Sequence, residues 1–341
     1  VQVPSWRATK DVTIKADIIE EITRIYGYDN FKISTSKSAL FPVLRSAGNF
    51  CDNSAKDILV RSYALHEVHS YLWCDGKKQK EIGIEAPNNV RLLNAINPDF
   101  LVLRDSMIPT LLTFVNENKS YGQSFGIFEI GRVVCGLKEN GECNERKKLG
   151  IVLYSRTENE KELYLKLRDI VAAIGEELKH TKLRFTNTQA LRPWQHPVNT
   201  ANIELDGHLI GSMNTLYPTV KNKIDKKASI VSAELDMDSF AAIEAEAIHY
   251  SEPSRYPSID IDLSLVVVGD TVYGDLENAW KNVTPLLKAV NLIDIYDGEQ
   301  KSLTLRFGFS SGEKTLSKAE VQVFVDKILA NLAKTGVHIK A

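Results

Sequence analysis

Four carboxylate side chains near the start of the sequence have types and spacings that could bind a metal ion: Asp11, Asp17, Glu20 and Glu21. If residues 15–26 form a helix, the last three share one face, because side chains three and four positions apart are neighbours on a helix. Asp11 lies just upstream, on an extended stretch that can fold over the same face. Oxygen ligands suit a hard divalent cation, so the pattern is compatible with a site for Mg²⁺ or Ca²⁺.

The same carboxylates are also compatible with a purely structural role. Arg24 follows Glu20 by four residues and Glu21 by three, and opposite charges at these spacings pair along solvated helices. Acidic surface helices are common, and by spacing alone they outnumber metal sites. The residues themselves therefore leave both interpretations open.

The segment that positions these acids has the pattern of an amphipathic helix. At roughly 100° per residue, its apolar side chains form one stripe on the side opposite the acids. This stripe consists of Ile18, Ile19, Ile22, Ile25 and Tyr26. Gly27 follows directly, and we expect it to end the helix in a left-handed conformation.

The residues around this helix resemble the beta subunits of bacterial-type phenylalanyl-tRNA synthetases. That family has the motif V-P-S-W-R, then two Asp residues, a Glu-Glu pair and R-x-Y-G-Y. The motif is matched here by residues 3–7, the four carboxylates and residues 24–28. The resemblance implies that the four carboxylates hold a Mg²⁺ that is shared with the alpha subunit at the contact between the two subunits.

The middle of the sequence predicts an α+β domain, because mostly antiparallel strands alternate with inserted helices. Pro109 suits the first turn of a helix, and Asp206-Gly207 suits a tight hairpin turn. The predicted strands cover residues 68–73, 125–134 and 149–154 and the hairpin 201–217, and the predicted helices cover 57–61, 109–115 and 161–178.

The last part of the sequence has the pattern βαββαβ, which is the ferredoxin-like arrangement. The predicted strands are 259–267, 292–296, 302–309 and 337–339, and the predicted helices are 274–290 and 317–334, the second opened by a Ser317–Glu320 capping box. We expect Ser302, Thr304 and Arg306 on the open face of the sheet. Thr304 and Arg306 are the candidate RNA-binding residues, because ferredoxin-like RNA readers place their contacts there.

Motifs in both of these parts resemble the same family. N-P followed by L-R-x-S-x-x-P-x-L-L, between Asn97 and Leu112, and F-E-I-G-R-V at 128–133 are similar to its class II synthetase-like domain. Beyond Tyr256, Y-P-S, D-L-S, D-I-Y-D-G-E and T-L-S resemble its ferredoxin-fold anticodon-binding domain. Asp260-Ile261 departs from the family's basic pair, and this lowers the positive charge available for RNA. We therefore expect three parts: the magnesium-bearing, alpha-contacting module at 1–38, the class II-like domain at 39–245 and the anticodon-binding domain at 246–341.

The resemblance implies a supporting function in tRNA charging. Such a subunit holds a catalytic alpha subunit, which uses ATP, in an α2β2 heterotetramer, and it binds tRNA-Phe. Its class II-like domain is a non-catalytic copy, and the family's editing and N-terminal tRNA-binding domains would lie upstream of Val1. Because the sequence starts inside a motif without an initiator Met, we expect the C-terminal portion of a longer chain. The alternative is a free-standing RNA-binding or ATP-binding class II-like protein.

The sequence does not indicate catalysis by this chain alone. Class II activation needs Arg side chains on the ATP phosphates. Arg104 and Arg132 lie in a suitable region, but no glycine-rich strand with a further Arg follows, so we expect structural or interface roles. His66 and His69 lack the H-E-x-x-H spacing of a zinc site. The densest basic run has the pattern of solvated surface; it consists of Lys221, Lys223, Lys226 and Lys227.

Composition places the chain among ordinary globular proteins. It has 341 residues, 43% of them hydrophobic, and a formal net charge of −2, so no overall field attracts nucleic acid. No signal peptide or apolar run long enough to cross a membrane is present. The four Cys residues show no C-x-x-C pairing, which predicts reduced thiols and a cytoplasmic location.

Overall fold

A computed structural model describes residues 1–9, 11–95, 97–250, 252–268, 271–298 and 300–340. The chain divides into two compact units, Val1–Glu246 and Ala247–Ala341. Each unit encloses its own core of buried apolar side chains, as independently packed domains do. Within the described ranges, no helix combines the length and the apolar character needed to span a bilayer.

Helix α1 (Lys15–Tyr26) begins and ends where the sequence predicts. Gly27 follows it with the expected positive φ of 90°, but its ψ of 126° lies outside the left-handed helical region that we predicted. The apolar stripe is largely open to solvent, since Ile19, Ile22 and Ile25 are 62%, 59% and 90% exposed. The intrinsic pattern of the segment, rather than burial in a core, therefore defines this helix.

A large sheet forms the centre of unit 1. Its strands are β1 (His66–Glu67), β2 (Ser124–Leu137), β3 (Cys143–Ser155), β4 (Arg184–Asn187), β5 (Gln195–Leu205), β6 (His208–Leu216) and β7 (Ser229–Asp236). Among the described residues, the strand order is β1-β2-β3-β7-β6-β5-β4. Every neighbouring pair is antiparallel except β1 with β2, which is parallel. The predicted α+β class is confirmed, and the sheet is mixed at this one edge.

Helices cover both faces of this sheet. They are α2 (Ala47–Asp57), α3 (Gly76–Glu81), α4 (Ile108–Asn118), α5 (Glu160–Lys179), α6 (Pro218–Ile224) and α7 (Met237–Ala242). Because side chains alternate along a strand, Ile151 and Leu153 of β3 pack on the α5 side, while Val152 and Tyr154 pack on the α4 side. Two apolar layers therefore hold the sheet between helices.

Local sequence signals in unit 1 predict some of these elements correctly. Asp206 and Gly207 have φ values of 48° and 74°, as a tight hairpin turn requires, and Pro109 lies in the first turn of α4.

The strand predicted at 68–73 is wrong, because β1 ends at Glu67. The Val68 N–H still donates to the Phe128 carbonyl at 2.9 Å, but the backbone N–H and the Oγ of Ser70 donate instead to the Glu129 carboxylate, at 3.2 and 2.5 Å.

Unit 2 is a small antiparallel sheet with helices. Its strands are β8 (Ile259–Val266), β9 (Leu287–Asp297), β10 (Lys301–Phe309) and β11 (His338–Ile339), and its helices are α8 (Tyr273–Glu277) and α9 (Lys318–Ala333). Among the described residues the order is β11-β8-β10-β9, which confirms the ferredoxin-like arrangement. The Ser317–Glu320 capping box opens α9 as predicted. The ladder between β9 and β10 shifts register at Thr304/Leu305 and at Gly308/Phe309.

The helix predicted at 274–290 is mostly wrong. Helix α8 ends at Glu277, and the segment continues through turns with i→i−3 hydrogen bonds, such as Val283 N–H to Trp280 O at 3.2 Å. Pro285 cannot donate a helical hydrogen bond, and β9 already begins at Leu287. Trp280 is nevertheless 4% exposed, so the periodicity that predicts a helix here reflects burial of an irregular segment.

Candidate metal and nucleic-acid sites

Arg7 joins two of the four predicted metal ligands. Its Nε donates to Asp11 Oδ2 at 2.7 Å and its Nη2 donates to Glu21 Oε1 at 2.8 Å. Arg24 adds a second ion pair to Glu21 at 3.2 Å. The hydrogen bond from Arg7 lowers the pKa of Glu21, and the bonds to Glu21 and Asp11 raise the pKa of Arg7. The structure therefore brings Asp11 and Glu21 together around the guanidinium group of Arg7.

Asp17 points toward the beginning of α1. Its Oδ2 accepts hydrogen bonds from the backbone N–H groups of Ile14 and Thr13 at 2.9 and 2.7 Å, and these bonds lower the pKa of Asp17. They satisfy donors that the start of a helix leaves open. Glu20 is exposed to solvent on α1. The structure thus gives Asp17 a capping role and does not gather all four carboxylates at one point.

The donor set suits a hard cation, but its members are not preassembled as ligands. Across the described ranges, no group of three or more His, Cys, Asp or Glu side chains is placed to hold a metal ion. Asp11 and Glu21 already converge on the guanidinium group of Arg7. Their carboxylate oxygens can therefore share one positively charged group. The residues fit Mg²⁺ on condition that Arg7 releases them.

The two candidate RNA-binding side chains lie on the open face of the small sheet and are already paired. Arg306 binds Asp262, its register partner on β8, through two hydrogen bonds of 2.7 Å. This pair raises the pKa of Arg306 and lowers the pKa of Asp262. Thr304 shares a hydrogen bond of 3.0 Å with Ser264. An RNA phosphate would therefore compete with Asp262 for the guanidinium.

The same face carries further negative charge. Asp260 lies opposite Gly308 and Asp294 lies opposite Thr304 in the ladders, so both flank the Arg306–Asp262 pair. Ser302 alternates along β10 in step with Thr304 and Arg306, but it is only 3% exposed and so is not accessible to a ligand. The open face is consequently weaker in positive charge than an RNA-binding sheet is expected to be.

Arg104 belongs to a buried hydrogen-bond network. Its guanidinium donates to the Arg132 carbonyl at 2.9 Å, to Ser70 Oγ at 2.5 Å and to Glu129 Oε1 at 3.2 Å, and its side chain is 3% exposed. These bonds use the guanidinium inside the protein, which confirms the predicted structural role. Arg132 is largely exposed and forms an ion pair with Glu145 at 3.4 Å.

A hollow of about 260 Å³ lies on the α4 side of the large sheet and includes Ser106, Lys148 and Glu234 in its lining. The Glu234 carboxylate accepts hydrogen bonds from Ser106 Oγ and Met107 N–H, both at 2.7 Å, and from Lys148 Nζ at 2.8 Å. Its oxygens are therefore occupied in fixing the start of α4. The hollow is also smaller than the usual range of ligand pockets.

The sequence does not predict the ion pairs that occupy the side chains of both candidate sites. The Arg7 ion pairs depend on a local turn, in which Arg7 N–H donates to the Pro4 carbonyl at 2.9 Å, and no periodic pattern encodes that turn. The Arg306–Asp262 pair depends on strand register. The alternation of Asp260 and Asp262 along a predicted strand is a signal that could have suggested it.

Comparison with protein families gives matches along the chain. The tRNA synthetase B5 domain matches residues 1–28, the phenylalanyl tRNA synthetase beta chain CLM domain matches residues 36–237, and the ferredoxin-fold anticodon binding domain matches residues 254–340. The beta-chain match spans more than half of the chain. The first match contains α1, the second contains the large sheet of unit 1, and the third contains the small sheet of unit 2.

Curated relatives agree with these matches. Proteins named phenylalanine–tRNA ligase beta subunit from Syntrophus aciditrophicus, Bacillus subtilis and Geobacillus kaustophilus are 28%, 29% and 31% identical over 100%, 98% and 98% of this chain. The chain spans 44%, 43% and 43% of their lengths. A pyrrolysyl-tRNA synthetase from Desulfitobacterium hafniense overlaps 57% of this chain and 68% of its own at a TM-score of 0.46 and 14% identity, a likeness too slight for any conclusion.

Proposed function

The chain belongs to the phenylalanyl-tRNA synthetase beta chain family, and from this we propose that it serves as the supporting part of a phenylalanine–tRNA ligase. In this role it holds the catalytic alpha subunit and contributes to binding tRNA-Phe, while the alpha subunit uses ATP to charge the tRNA. The observation that carries the proposal is the ordered series of family matches at 1–28, 36–237 and 254–340. The buried network of Arg104 supports a non-catalytic role for this chain.

Three functional parts fit this role. Residues 1–38 form the alpha-contacting module, residues 39–245 the class II-like supporting domain, and residues 246–341 the anticodon-binding domain. The assembly is an α2β2 heterotetramer in the cytoplasm. In the last part, Thr304 and Arg306 contact tRNA, and Asp262 restrains Arg306 until a phosphate replaces it.

The acidic cluster of the first part takes Mg²⁺ in the assembled enzyme. Asp11, Asp17, Glu20 and Glu21 supply its oxygen ligands, and the ion would neutralise carboxylates that otherwise repel one another. Arg7 holds Asp11 and Glu21 near each other before assembly. Before Asp11 and Glu21 can bind Mg²⁺, Arg7 must exchange them for another partner. This requirement favours Mg²⁺ binding at the interface with the alpha subunit over Mg²⁺ binding to the free chain.

Replacement of Glu20 by alanine should weaken assembly with the alpha subunit by about tenfold, or about 1.4 kcal/mol, and more at low magnesium. The physical reason is the loss of one carboxylate ligand that does not belong to the Arg7 ion pairs. The dissociation constant of the two subunits is measured across magnesium concentrations. Glu177→Ala, at an exposed position of α5, is the matched control. If assembly is independent of magnesium in all three proteins, the cluster is only a salt-bridged helix face.

Co-expression with a class II alpha subunit tests the proposed function directly. A tagged form of this chain should recover the alpha subunit in equal amounts, and the pair should bind tRNA-Phe. A chain that binds RNA or ATP by itself and recovers no alpha subunit would instead be a free-standing class II-like protein. Phenylalanine-dependent exchange of pyrophosphate into ATP by this chain alone would identify it as an independent enzyme.

A further inference from the structure

Basic side chains converge on unit 1 around the end of α6. Lys221 and Lys223 belong to α6, and Lys226 and Lys227 lie in the turn after it. Arg156 lies just beyond the end of β3 and is joined to this turn by an ion pair with Asp225. We name Arg156 and these four lysines the basic ridge.

Asp225 organises the ridge. Its Oδ2 accepts hydrogen bonds from Arg156 Nε at 2.7 Å and from the Tyr154 hydroxyl at 2.8 Å, and its Oδ1 accepts from Lys227 N–H at 2.9 Å. Although burial acts in the opposite direction, these bonds lower the pKa of Asp225 to about 2. Asp225 is thus charged at neutral pH and paired with Arg156, so these two charges offset each other and the net positive charge of the ridge comes from its four lysines.

An open hollow lies beside the ridge, and the loop that lines it through Gln123 also carries an exposed aromatic side chain, Tyr121. The hollow has a volume of about 650 Å³ and is lined by Gln123, Arg156, Asp225, Lys226 and Lys227. Arg156 N–H donates to the Gln123 carbonyl at 2.8 Å, which fixes the loop that also carries Tyr121. The Tyr121 ring packs edge-to-face against His66 and Phe125, with ring centroids 5.6 and 6.0 Å apart, and the residue is still 69% exposed. Lys119 adds a further cation, since its Nζ donates to the Ile224 carbonyl at 3.0 Å.

We propose that the basic ridge binds the phosphate backbone of RNA, with Tyr121 available to stack on a base. Positive grooves flanked by exposed aromatic rings are the general design of surfaces that track single strands of nucleic acid. The chain as a whole is slightly negative, so this concentration of charge is a local feature and not part of a global field. The proposal deepens the role in tRNA binding and rests on it, but it assigns the contact to unit 1.

Anisotropy of fluorescently labelled tRNA, titrated with the whole 341-residue chain across salt concentrations, tests the ridge. K226A/K227A should weaken binding by about tenfold and reduce the slope of log affinity against log salt by between one and two units, roughly 0.7–0.9 for each lost phosphate contact. K182A/R184A removes the same charge from exposed positions at the β4 end of the sheet and should leave both quantities unchanged. Y121A should weaken binding without changing the slope, because stacking releases no counterions.

The outcomes separate this inference from the proposed function. If R306A weakens tRNA binding while K226A/K227A behaves like K182A/R184A, the ridge inference fails and the anticodon-binding role stands. Equal losses in the two double variants would show a general charge effect and also overturn it. Should poly-glutamate bind the chain through the ridge while tRNA does not, the surface serves an acidic protein partner instead. Circular dichroism verifies folding, and K226Q/K227Q repeats the test with side chains of similar length.

Discussion

Replacement of Arg104 by alanine should lower the free energy of unfolding of the chain by about 3–5 kcal/mol, because it removes one partner of a buried ion pair and leaves the other charge uncompensated. The Glu129 carboxylate would lose a hydrogen bond at 3.2 Å. Ser70 and the Arg132 carbonyl would also lose their guanidinium donors. Denaturant unfolding followed by circular dichroism measures the effect.

Arg132→Ala is the matched control for this prediction. Arg132 is exposed and its ion pair with Glu145 is 3.4 Å long, so its loss should change the free energy of unfolding by about 0.5 kcal/mol or less. A double replacement of Arg104 and Glu129 by methionine should be far less harmful than Arg104→Ala, because no buried charge remains. Equal stability of the Arg104→Ala and Arg132→Ala variants would show that the network contributes nothing.

Truncation of the assembled enzyme at Glu252 should reduce kcat/KM for tRNA-Phe by about a hundredfold, mainly through a higher KM. A hundredfold loss corresponds to about 2.8 kcal/mol, the contribution of a few phosphate and base contacts. The truncation removes the part matched by the ferredoxin-fold anticodon binding domain, including Thr304 and Arg306. Aminoacylation rates measured at several tRNA and salt concentrations provide the test.

The single variant Arg306→Ala should reproduce a fraction of the truncation effect. Removing one phosphate contact should lower the salt slope by about one unit. Activation of phenylalanine without tRNA should be unchanged in both variants, because that reaction is proposed to occur on the alpha subunit. If the truncated enzyme charges tRNA-Phe as efficiently as the intact one at all salt concentrations, unit 2 has no anticodon-binding role. The Asp residues around Arg306 would then explain why.

Elements with local signals are the ones that the sequence predicts accurately. Helix α1 has an apolar period and a terminal glycine, α9 has its capping box, and the β5–β6 hairpin has Asp206-Gly207 at the turn. Each signal acts within a few residues, so tertiary context is not needed to interpret it. The segment 278–290 differs because burial of Trp280 gives a helix-like apolar pattern, although α8 ends at Glu277 and Pro285 is unsuited to a helix interior.

The sequence predicts which residues form the two candidate sites, and these sites stay predictions; it does not predict the ion pairs that their side chains make. Asp11 and Glu21 do meet, but around the guanidinium of Arg7, which comes from a turn outside the helical pattern. Arg306 does lie on the open face, but its charge is offset by Asp262 through strand register. In the basic ridge, the ion pair between Arg156 and Asp225 likewise forms only when β3 and the turn after α6 come together. Pairing between distant segments is the information that a single sequence does not provide.

The register shifts between β9 and β10 also bear on solubility. Strand β9 is an edge of the small sheet, and its Leu292, Ile293 and Ile295 are 45%, 49% and 45% exposed. A long, flat, apolar edge strand would be a template for strand addition by a neighbouring molecule and so for aggregation. The shifts at Thr304/Leu305 and Gly308/Phe309 bend and twist the strand locally, as bulges do. The unpaired residues at the two shifts, Ile293 and Lys288, belong to β9. Protection of unit 2 against amyloid-like stacking therefore resides partly in the irregular backbone of β9, and changes that straighten β9 would remove it.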